Sequence, residues 1–230
     1  KNPLHIGTIE SLCAAKLPAI VSRFREHHPQ VKLQITVETP EELIRMMEHD
    51  QLDIIYILDA PRWSESWVKA METAEPVVFV ASPAFWAQKY AECEKNGTVK
   101  WSTKTVGQEE ISVRQITLDQ ILQEPFFLTE KHANYRQALD QHLASCRCCL
   151  SPVLEISDTA FIIQMLEQSR GLSFLPLFAV QKQIWEGTLA AVEVDDVEIS
   201  MYRQIFYHKN KFRTREMEQF IIFASEEENH

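Results

Sequence analysis

The chain has 230 residues, of which 45% are hydrophobic and 24% charged, and its formal net charge at pH 7 is −10. This is the composition of an ordinary globular protein, long enough for one large domain or two lobes. No apolar run approaches the roughly 18 residues that a membrane-spanning helix needs, which excludes an integral membrane protein. The acidic charge repels phosphate backbones and anionic lipids, so we expect this chain itself not to bind DNA or a membrane.

The common catalytic motifs are missing from the sequence. Its five glycines are not spaced to form a phosphate-cradling or dinucleotide-binding loop. Neither a G-x-S-x-G elbow nor an H-E-x-x-H pair occurs. The sequence therefore favours a protein that is not an enzyme, with no catalytic residue, no cofactor and no metal site.

The first 58 residues predict a β-α-β-α-β unit. An apolar strand at 4–9 precedes Ser11 and an amphipathic helix at 17–28, and an alternating strand follows at 31–37. Thr39-Pro-Glu-Glu42 predicts a capping box that opens the next helix, before a continuous apolar strand at 52–58. Such alternation implies a doubly wound parallel sheet.

The second half repeats this alternation after a strand at Glu75–Ser82. Residues 91–115 are polar without a period, and we interpret them as a surface excursion. The remaining predicted elements are a short helix at 117–123, a strand at 125–129, a helix from Asn134, a strand at 153–156, a helix from Ser157 or Asp158 closed by a left-handed Gly171, a strand at 172–175, a helix at 176–185, a strand at 201–208 and a helix from Thr214.

Four of these helices begin directly after a strand, which places their N-termini at the carboxyl ends of the sheets, where such folds bind ligands. Backbone N–H groups and hydroxyls there suit a small anion or carboxylate. The hydroxyls belong to Ser11, Thr39, Thr129, Ser157 and Thr159. Ordinary helix capping explains each of them equally well when taken singly.

Charged residues in the same loops refine the predicted ligand. Glu10, Glu41, Glu130 and Asp158 oppose a purely anionic ligand unless it also carries a cationic group, so a zwitterion fits. Lys131 and Arg136 are candidate partners for a ligand carboxylate; the alternative is that both are solvated surface cations.

Five short segments, in their order and spacing, carry a resemblance to a known family. They resemble the effector-binding domain of LysR-type transcriptional regulators over nearly the whole chain. The segments are LHIGTIES at 4–11, LP at 17–18, FREHHP at 24–29, QLDII at 51–55 and RGLSFLP at 170–176.

The resemblance implies a fold similar to type 2 periplasmic binding proteins: two doubly wound α/β lobes joined by two crossover strands, near Glu75–Val80 and Tyr202–Tyr207. Lobe I would comprise 1–76 and 206–230, and lobe II 77–205. A small anionic or zwitterionic inducer would bind between the lobes. The family's pocket corresponds here to Ser11, Thr39, Thr129, Ser157, Asp158 and Thr159, and we add the neighbouring Glu10 and Pro40 as candidate ligand-binding residues. The acidic Glu10 and Glu41 and the long 91–115 segment depart from the family pattern.

The resemblance also implies partners. We expect DNA to be contacted only by an N-terminal winged helix-turn-helix outside this chain, and a homodimer or homotetramer to form through the helices at Leu17–His28 and Tyr135–Leu143. The five unpatterned cysteines favour the cytoplasm.

Three alternatives stay open. One is a secreted solute-binding protein of the same fold. Another is an enzyme that uses Glu10, Asp158 or Tyr135 as its acid or base. The third concerns Cys146-Arg-Cys-Cys149, which together with His142 could form a metal or redox site, or could simply be exposed thiols.

Overall fold

The computed structural model describes residues 3–106 and 109–226. Its strands are β1 (Leu4–Thr8), β2 (Leu33–Val37), β3 (Ile54–Asp59), β4 (Trp67–Ala81), β5 (Lys100–Val106), β6 (Glu109–Thr117), β7 (Phe127–Leu128), β8 (Leu154–Glu155), β9 (Leu172–Pro176), β10 (Ala190–Val192), β11 (Val194–Asp195) and β12 (Ser200–His208). Its helices are α1 (Glu10–Ala15), α2 (Leu17–His27), α3 (Pro40–Glu48), α4 (Pro83–Lys95), α5 (Leu118–Ile121), α6 (Asn134–Ser145), α7 (Thr159–Gln168), α8 (Leu177–Glu186) and α9 (Arg215–Glu226). None of these described helices is long and apolar enough to cross a membrane.

The chain folds into two compact units. Unit 1 holds the described residues of Lys1–Glu75, His132–Asn134 and Ser200–His230, and unit 2 holds those of Pro76–Lys131 and Tyr135–Ile199. Apart from the short segment His132–Asn134, the chain therefore leaves unit 1 within β4 and returns to it at the start of β12. The sequence-based boundary places that return at 206, later in the same strand.

The sheet of unit 1 has the predicted parallel core. β1 lies between β2 and β3 and is parallel to both, with Ile6 opposite Ile35 on one side and Ile54 on the other. β12 extends the sheet antiparallel to β3, with Ile205 opposite Tyr56, and β4 lies next to β12. All six residues of β3 are buried, as its continuous apolar sequence predicts.

Helices cover this sheet through apolar faces. α3 buries Leu43 and Met47 in a cluster that includes Ile55 of β3 and Phe206 of β12. The predicted helix at 17–28 is confirmed as α2, and α1 is a separate short helix that contains Ser11. The apolar residues that recur every two positions in the strands and every 3.6 positions in the helices thus pack into the same core.

Unit 2 contains a second, antiparallel sheet. The distal half of β4 pairs with β9 and with β10, and Phe79 lies opposite Phe174 with ring centroids 4.9 Å apart. β7 and β8 form a small parallel pair. Strand β4 begins well before the predicted strand at Glu75–Ser82, because its first residues alternate too weakly to be recognised from the sequence.

The segment 91–115, predicted as an irregular excursion, is mostly regular structure. Its first residues complete α4, and β5 and β6 then pair as an antiparallel hairpin in which Lys100 lies opposite Gln115. β11 extends this hairpin in parallel with β6. The prediction was wrong because the Thr-rich and charged sequence carries little of the apolar alternation that identifies a strand.

Gly171 does not adopt the predicted left-handed conformation. Among the described residues the glycines with positive φ are Gly97 and Gly187, and Gly187 closes α8. Gly171 is required for another reason, since a Cβ there would lie 2.6 Å from the Phe127 ring and 3.2 Å from the Pro125 carbonyl oxygen. The absence of a side chain at Gly171 thus allows the start of β9 to pack closely against Pro125 and Phe127.

We expect Gly171→Ala to lower the free energy of unfolding by about 1–3 kcal/mol, because the added methyl group overpacks a buried contact. Urea denaturation monitored by circular dichroism measures this loss. In a Phe127→Leu background the substitution should cost less, since the ring that it strikes is gone. An equal cost in both backgrounds would contradict the steric explanation.

Candidate functional site

Ser11 is the most informative predicted residue of unit 1. It is the second residue of α1 and only 3% exposed, and its Oγ has no hydrogen-bond partner. A buried hydroxyl without a partner costs about 1–3 kcal/mol, so such groups are uncommon in folded proteins. A polar ligand or an ordered water bound at Ser11 would remove this cost.

Thr39 and Pro40 begin α3 as predicted. Thr39 is exposed, and its Oγ1 accepts a hydrogen bond from the Glu42 backbone N–H at 3.4 Å, while Pro40 is the buried first helical residue. The predicted capping box is only half formed, because the Glu42 carboxylate accepts from Arg45 Nε at 2.8 Å. Thr39 thus has a capping role, and its own hydroxyl proton remains available to a ligand.

Glu41 belongs to an ionic cluster that the sequence did not reveal. Arg62 donates from Nη2 to Glu41 Oε1 at 2.7 Å and from Nε to the Asp59 carboxylate. The Arg62 backbone N–H also donates to Gln204 Oε1 at 2.8 Å. Burial raises the pKa of Asp59, outweighing the opposing hydrogen bond from Arg62. Because Arg62 offsets the charge of Glu41, this acidic residue opposes an anionic ligand less than the sequence implies.

Glu10, the other predicted acidic residue of unit 1, is the first residue of α1 and is partly buried. Its charge adds to burial in raising the pKa of the Cys13 thiol. Glu10 therefore places a carboxylate directly beside Ser11 at the start of α1.

Thr129 is the counterpart of Ser11 in unit 2. It directly follows β7, is 5% exposed, and its Oγ1 also lacks a hydrogen-bond partner. The next predicted residues stand at the start of α7: Asp158 caps the helix by accepting from the Phe161 N–H at 2.9 Å, and Thr159 is buried. Ser157 is exposed just before this cap.

The sequence left Arg136 as a candidate partner for a ligand carboxylate, but the structure shows its guanidinium bonded to other groups of the protein. It is 2% exposed and donates to the Thr129 carbonyl oxygen at 2.8 Å, to Glu155 at 2.9 Å and to Asp140 at 3.1 Å. These contacts fix the loop that carries Thr129, so Arg136 positions the candidate site. Lys131 is exposed in the same region.

Ser173 is a candidate that sequence analysis missed. It lies in β9, is fully buried, and its Oγ has no partner. The available signal was a single hydroxyl residue inside the otherwise apolar run Leu172–Pro176.

Unit 1 also has a cavity of about 730 Å³ that contains none of the predicted residues. It lies beside the first residue of β1 and the last residue of β12, where Lys211 pairs with Asp50 and with Asp53 at 2.6 Å. Within residues 3–106 and 109–226 no group of three His, Cys, Asp or Glu side chains is placed to hold a metal ion.

Two α/β units, connected through β4 and again at β12, give the chain the fold of a LysR-type effector-binding domain, which is similar to that of type 2 periplasmic binding proteins. The family model described as "LysR substrate binding domain" matches residues 1–94 and 109–228, and the chain belongs to that family. The unmatched stretch 95–108 includes β5, so this strand of the hairpin lies outside the family pattern, whereas β6 lies within it.

Similarities in sequence and in structure to known proteins support this assignment. The HTH-type transcriptional activator CmpR of Synechocystis is 21% identical over 213 residues, which are 92% of this chain and 62% of CmpR. The regulatory domain of HypT from Salmonella typhimurium has a TM-score of 0.69 at 15% identity and covers 97% of this chain and 94% of that domain. The effector binding domain of QuiR in complex with shikimate has a TM-score of 0.65 at 12% identity, with coverage of 97% and 95%.

These similarities confirm the predicted LysR-type effector-binding domain and its fold, and they confirm that the domain is not an enzyme. They do not favour the alternative of a secreted solute-binding protein. This chain spans 62% of the length of CmpR.

Proposed function

We propose that the chain is an effector-sensing domain that binds a small polar metabolite, anionic or zwitterionic, and passes the signal to DNA binding through rearrangement of an oligomer. Its proposed ligand-binding residues are Glu10, Ser11, Thr39, Pro40, Thr129, Ser157, Asp158 and Thr159.

One observation carries this proposal. Ser11 and Thr129 were selected from the sequence for their positions after parallel strands, and both prove to have buried hydroxyl oxygens without partners. A ligand with several oxygen atoms would satisfy these groups, and burial strengthens each hydrogen bond that it makes. QuiR is a structural neighbour in complex with shikimate, a hydroxylated carboxylate.

The charges of the site support a ligand that is not strongly anionic. Glu41 is paired with Arg62, and Glu10 and Asp158 stand at the starts of α1 and α7, next to the predicted hydroxyls. An ammonium group on the ligand would meet one of these carboxylates, while its carboxylate meets backbone N–H groups and hydroxyls.

The wider role is also a proposal. DNA would be contacted by a part of the protein outside this chain, whose net charge of −10 opposes contact with phosphates. A homodimer or homotetramer in the cytoplasm would couple effector binding to DNA binding through population shift.

A thermal-shift screen against amino acids, carboxylates and inorganic oxyanions tests the proposal. A ligand at about 100 times its Kd should add about 2.7 kcal/mol of stability. We expect Ser11→Ala to weaken that ligand about 10-fold, because a buried hydrogen bond is lost. Without ligand the same variant should be at least as stable as the parent chain, since it removes an unsatisfied hydroxyl.

Matched variants separate this site from others. Ser151→Ala, at an exposed loop serine, should leave both stability and affinity unchanged. A ligand whose affinity is unaffected by Ser11→Ala and Thr129→Val, but reduced by Lys211→Met, would bind in the cavity beside Lys211 and would refute the proposed site.

A further inference from the structure

Three cysteines follow the C-terminus of α6 in unit 2. Cys146 and Cys149 are exposed and Cys148 is half-buried. The turn that carries them is fixed by two backbone hydrogen bonds, from Cys148 N–H to Leu143 O at 2.8 Å and from Arg147 N–H to Ala144 O at 3.0 Å. These are the two bonds of a Schellman motif, with Arg147 in the left-handed conformation at φ 57°. The backbone around the thiols is therefore ordered by the helix end.

Cys146 differs from the other cysteines in its immediate neighbour. Its Sγ lies 3.8 Å from Nε2 of His142, one helical turn earlier. An imidazole at this distance can accept the thiol proton, and the thiolate is the reactive form of cysteine.

From this geometry we propose that Cys146 is the nucleophile of a redox modification site, which a peroxide oxidises and which closes as a disulfide with Cys149. The proposal goes beyond effector sensing and does not depend on it. Disulfide formation needs only the two sulfurs of the C-x-x-C segment. A metal site would need at least three ligands, and the described residues contain no such group.

The reaction balances in two steps. The Cys146 thiolate attacks one peroxide oxygen, the O–O bond breaks, and Cys146 becomes a sulfenic acid while the leaving oxygen takes the proton held by His142 and departs as water or alcohol. The Cys149 sulfur then attacks the sulfenic sulfur, the S–S bond forms, and the sulfenic hydroxyl leaves as water with the Cys149 thiol proton. The two thiols lose two electrons and two protons, and the peroxide gains them.

Cys149 is favoured over Cys148 as the second thiol. Cys148 Sγ donates to the Cys146 carbonyl oxygen at 3.5 Å. Partial burial and the charge of Asp119 raise the pKa of Cys148, which keeps it protonated. Cys149 is exposed and three residues from Cys146, the spacing of a C-x-x-C pair.

The position of Arg147 makes the test direct. Trypsin cleaves after Arg147, so Cys146 falls in peptide Gln137–Arg147, and Cys148 and Cys149 both fall in peptide Cys148–Arg170. The intact chain is treated with hydrogen peroxide, free thiols are alkylated, and non-reducing peptide mass mapping follows. We expect a cross-linked pair of these peptides and an intact mass lower by about 2 Da before alkylation. The cross-link should persist in Cys148→Ser and disappear in Cys149→Ser.

A second variant tests the role of His142. His142→Gln should slow oxidation of Cys146 by about 10-fold near neutral pH, and strongly alkaline buffer, in which a thiol needs no base, should restore the rate. His132→Gln, at an exposed loop histidine, should have no effect. Three results would each overturn the proposal: a disulfide confined to peptide Cys148–Arg170, a cross-link that survives Cys149→Ser, or oxidation of Cys146 no faster than that of the buried Cys93.

Discussion

Replacing Arg203 with methionine is expected to lower the free energy of unfolding by about 3–5 kcal/mol, the largest single effect that we predict for this chain. Arg203 lies in β12 and is 1% exposed. Its Nη1 donates to the Tyr56 hydroxyl at 2.6 Å and its Nε donates to Glu75 in β4. The substitution removes the cation and leaves the Glu75 carboxylate buried without its charge partner.

The electrostatics explain why the pair tolerates burial. Burial disfavours the charged guanidinium, but the Tyr56 hydroxyl and the Glu75 carboxylate outweigh it and raise the pKa of Arg203. The buried guanidinium therefore depends on these two partners for its stabilisation. Glu75 is the last residue of unit 1 before the chain crosses to unit 2, so the pair joins the outgoing strand to the returning one.

Urea denaturation measures the loss of stability in Arg203→Met, and two further variants show whether the loss comes from the unpaired buried charge. Arg23→Met removes an exposed cation that pairs with Glu226 at 2.7 Å and should cost less than about 1 kcal/mol, because water screens that pair. Arg203→Met combined with Glu75→Leu should recover much of the stability, since no unpaired charge remains. Equal costs for Arg203→Met and Arg23→Met would show that burial does not strengthen the Arg203 pair.

Local patterns predicted the fold where one face or both faces of an element are buried. The apolar run of β3 and the 3.6-residue period of α2 identified the core of unit 1 because burial imposes those periods. The β5–β6 hairpin carries no such period, and it was missed. Gly171 was assigned to a helix end by position, whereas its real constraint is the Phe127 ring, which is distant in sequence.

In the candidate site too, local features could be predicted from the sequence and tertiary contacts could not. Ser11 and Thr129 were identified because a strand end is a local feature of the sequence. The Arg62–Glu41 pair joins residues 21 positions apart, and Arg136 binds Thr129 and Glu155, which both lie outside its own helix. Such pairings depend on tertiary structure, so the sequence named the residue types but not their roles.

Arg136 offers a test of one such role. We expect Arg136→Met to lower the free energy of unfolding by about 2–3 kcal/mol in the absence of any ligand, because the buried Thr129 carbonyl loses its donor and two carboxylates lose their shared cation. Arg136→Lys should recover only part of this loss, since a single ammonium group cannot reproduce the planar set of donors.

Lys131→Met is the matched control for Arg136→Met, since it removes an exposed cation nearby and should change stability by no more than about 0.5 kcal/mol. Urea denaturation of the three variants without ligand distinguishes the two roles of Arg136. A structural arginine is needed before any effector binds, because it holds the loop of Thr129. If Arg136→Met instead unfolded like the parent chain and lost only effector affinity, Arg136 would be a ligand-binding residue, and the guanidinium would have to turn away from Asp140 and Glu155 to reach the effector.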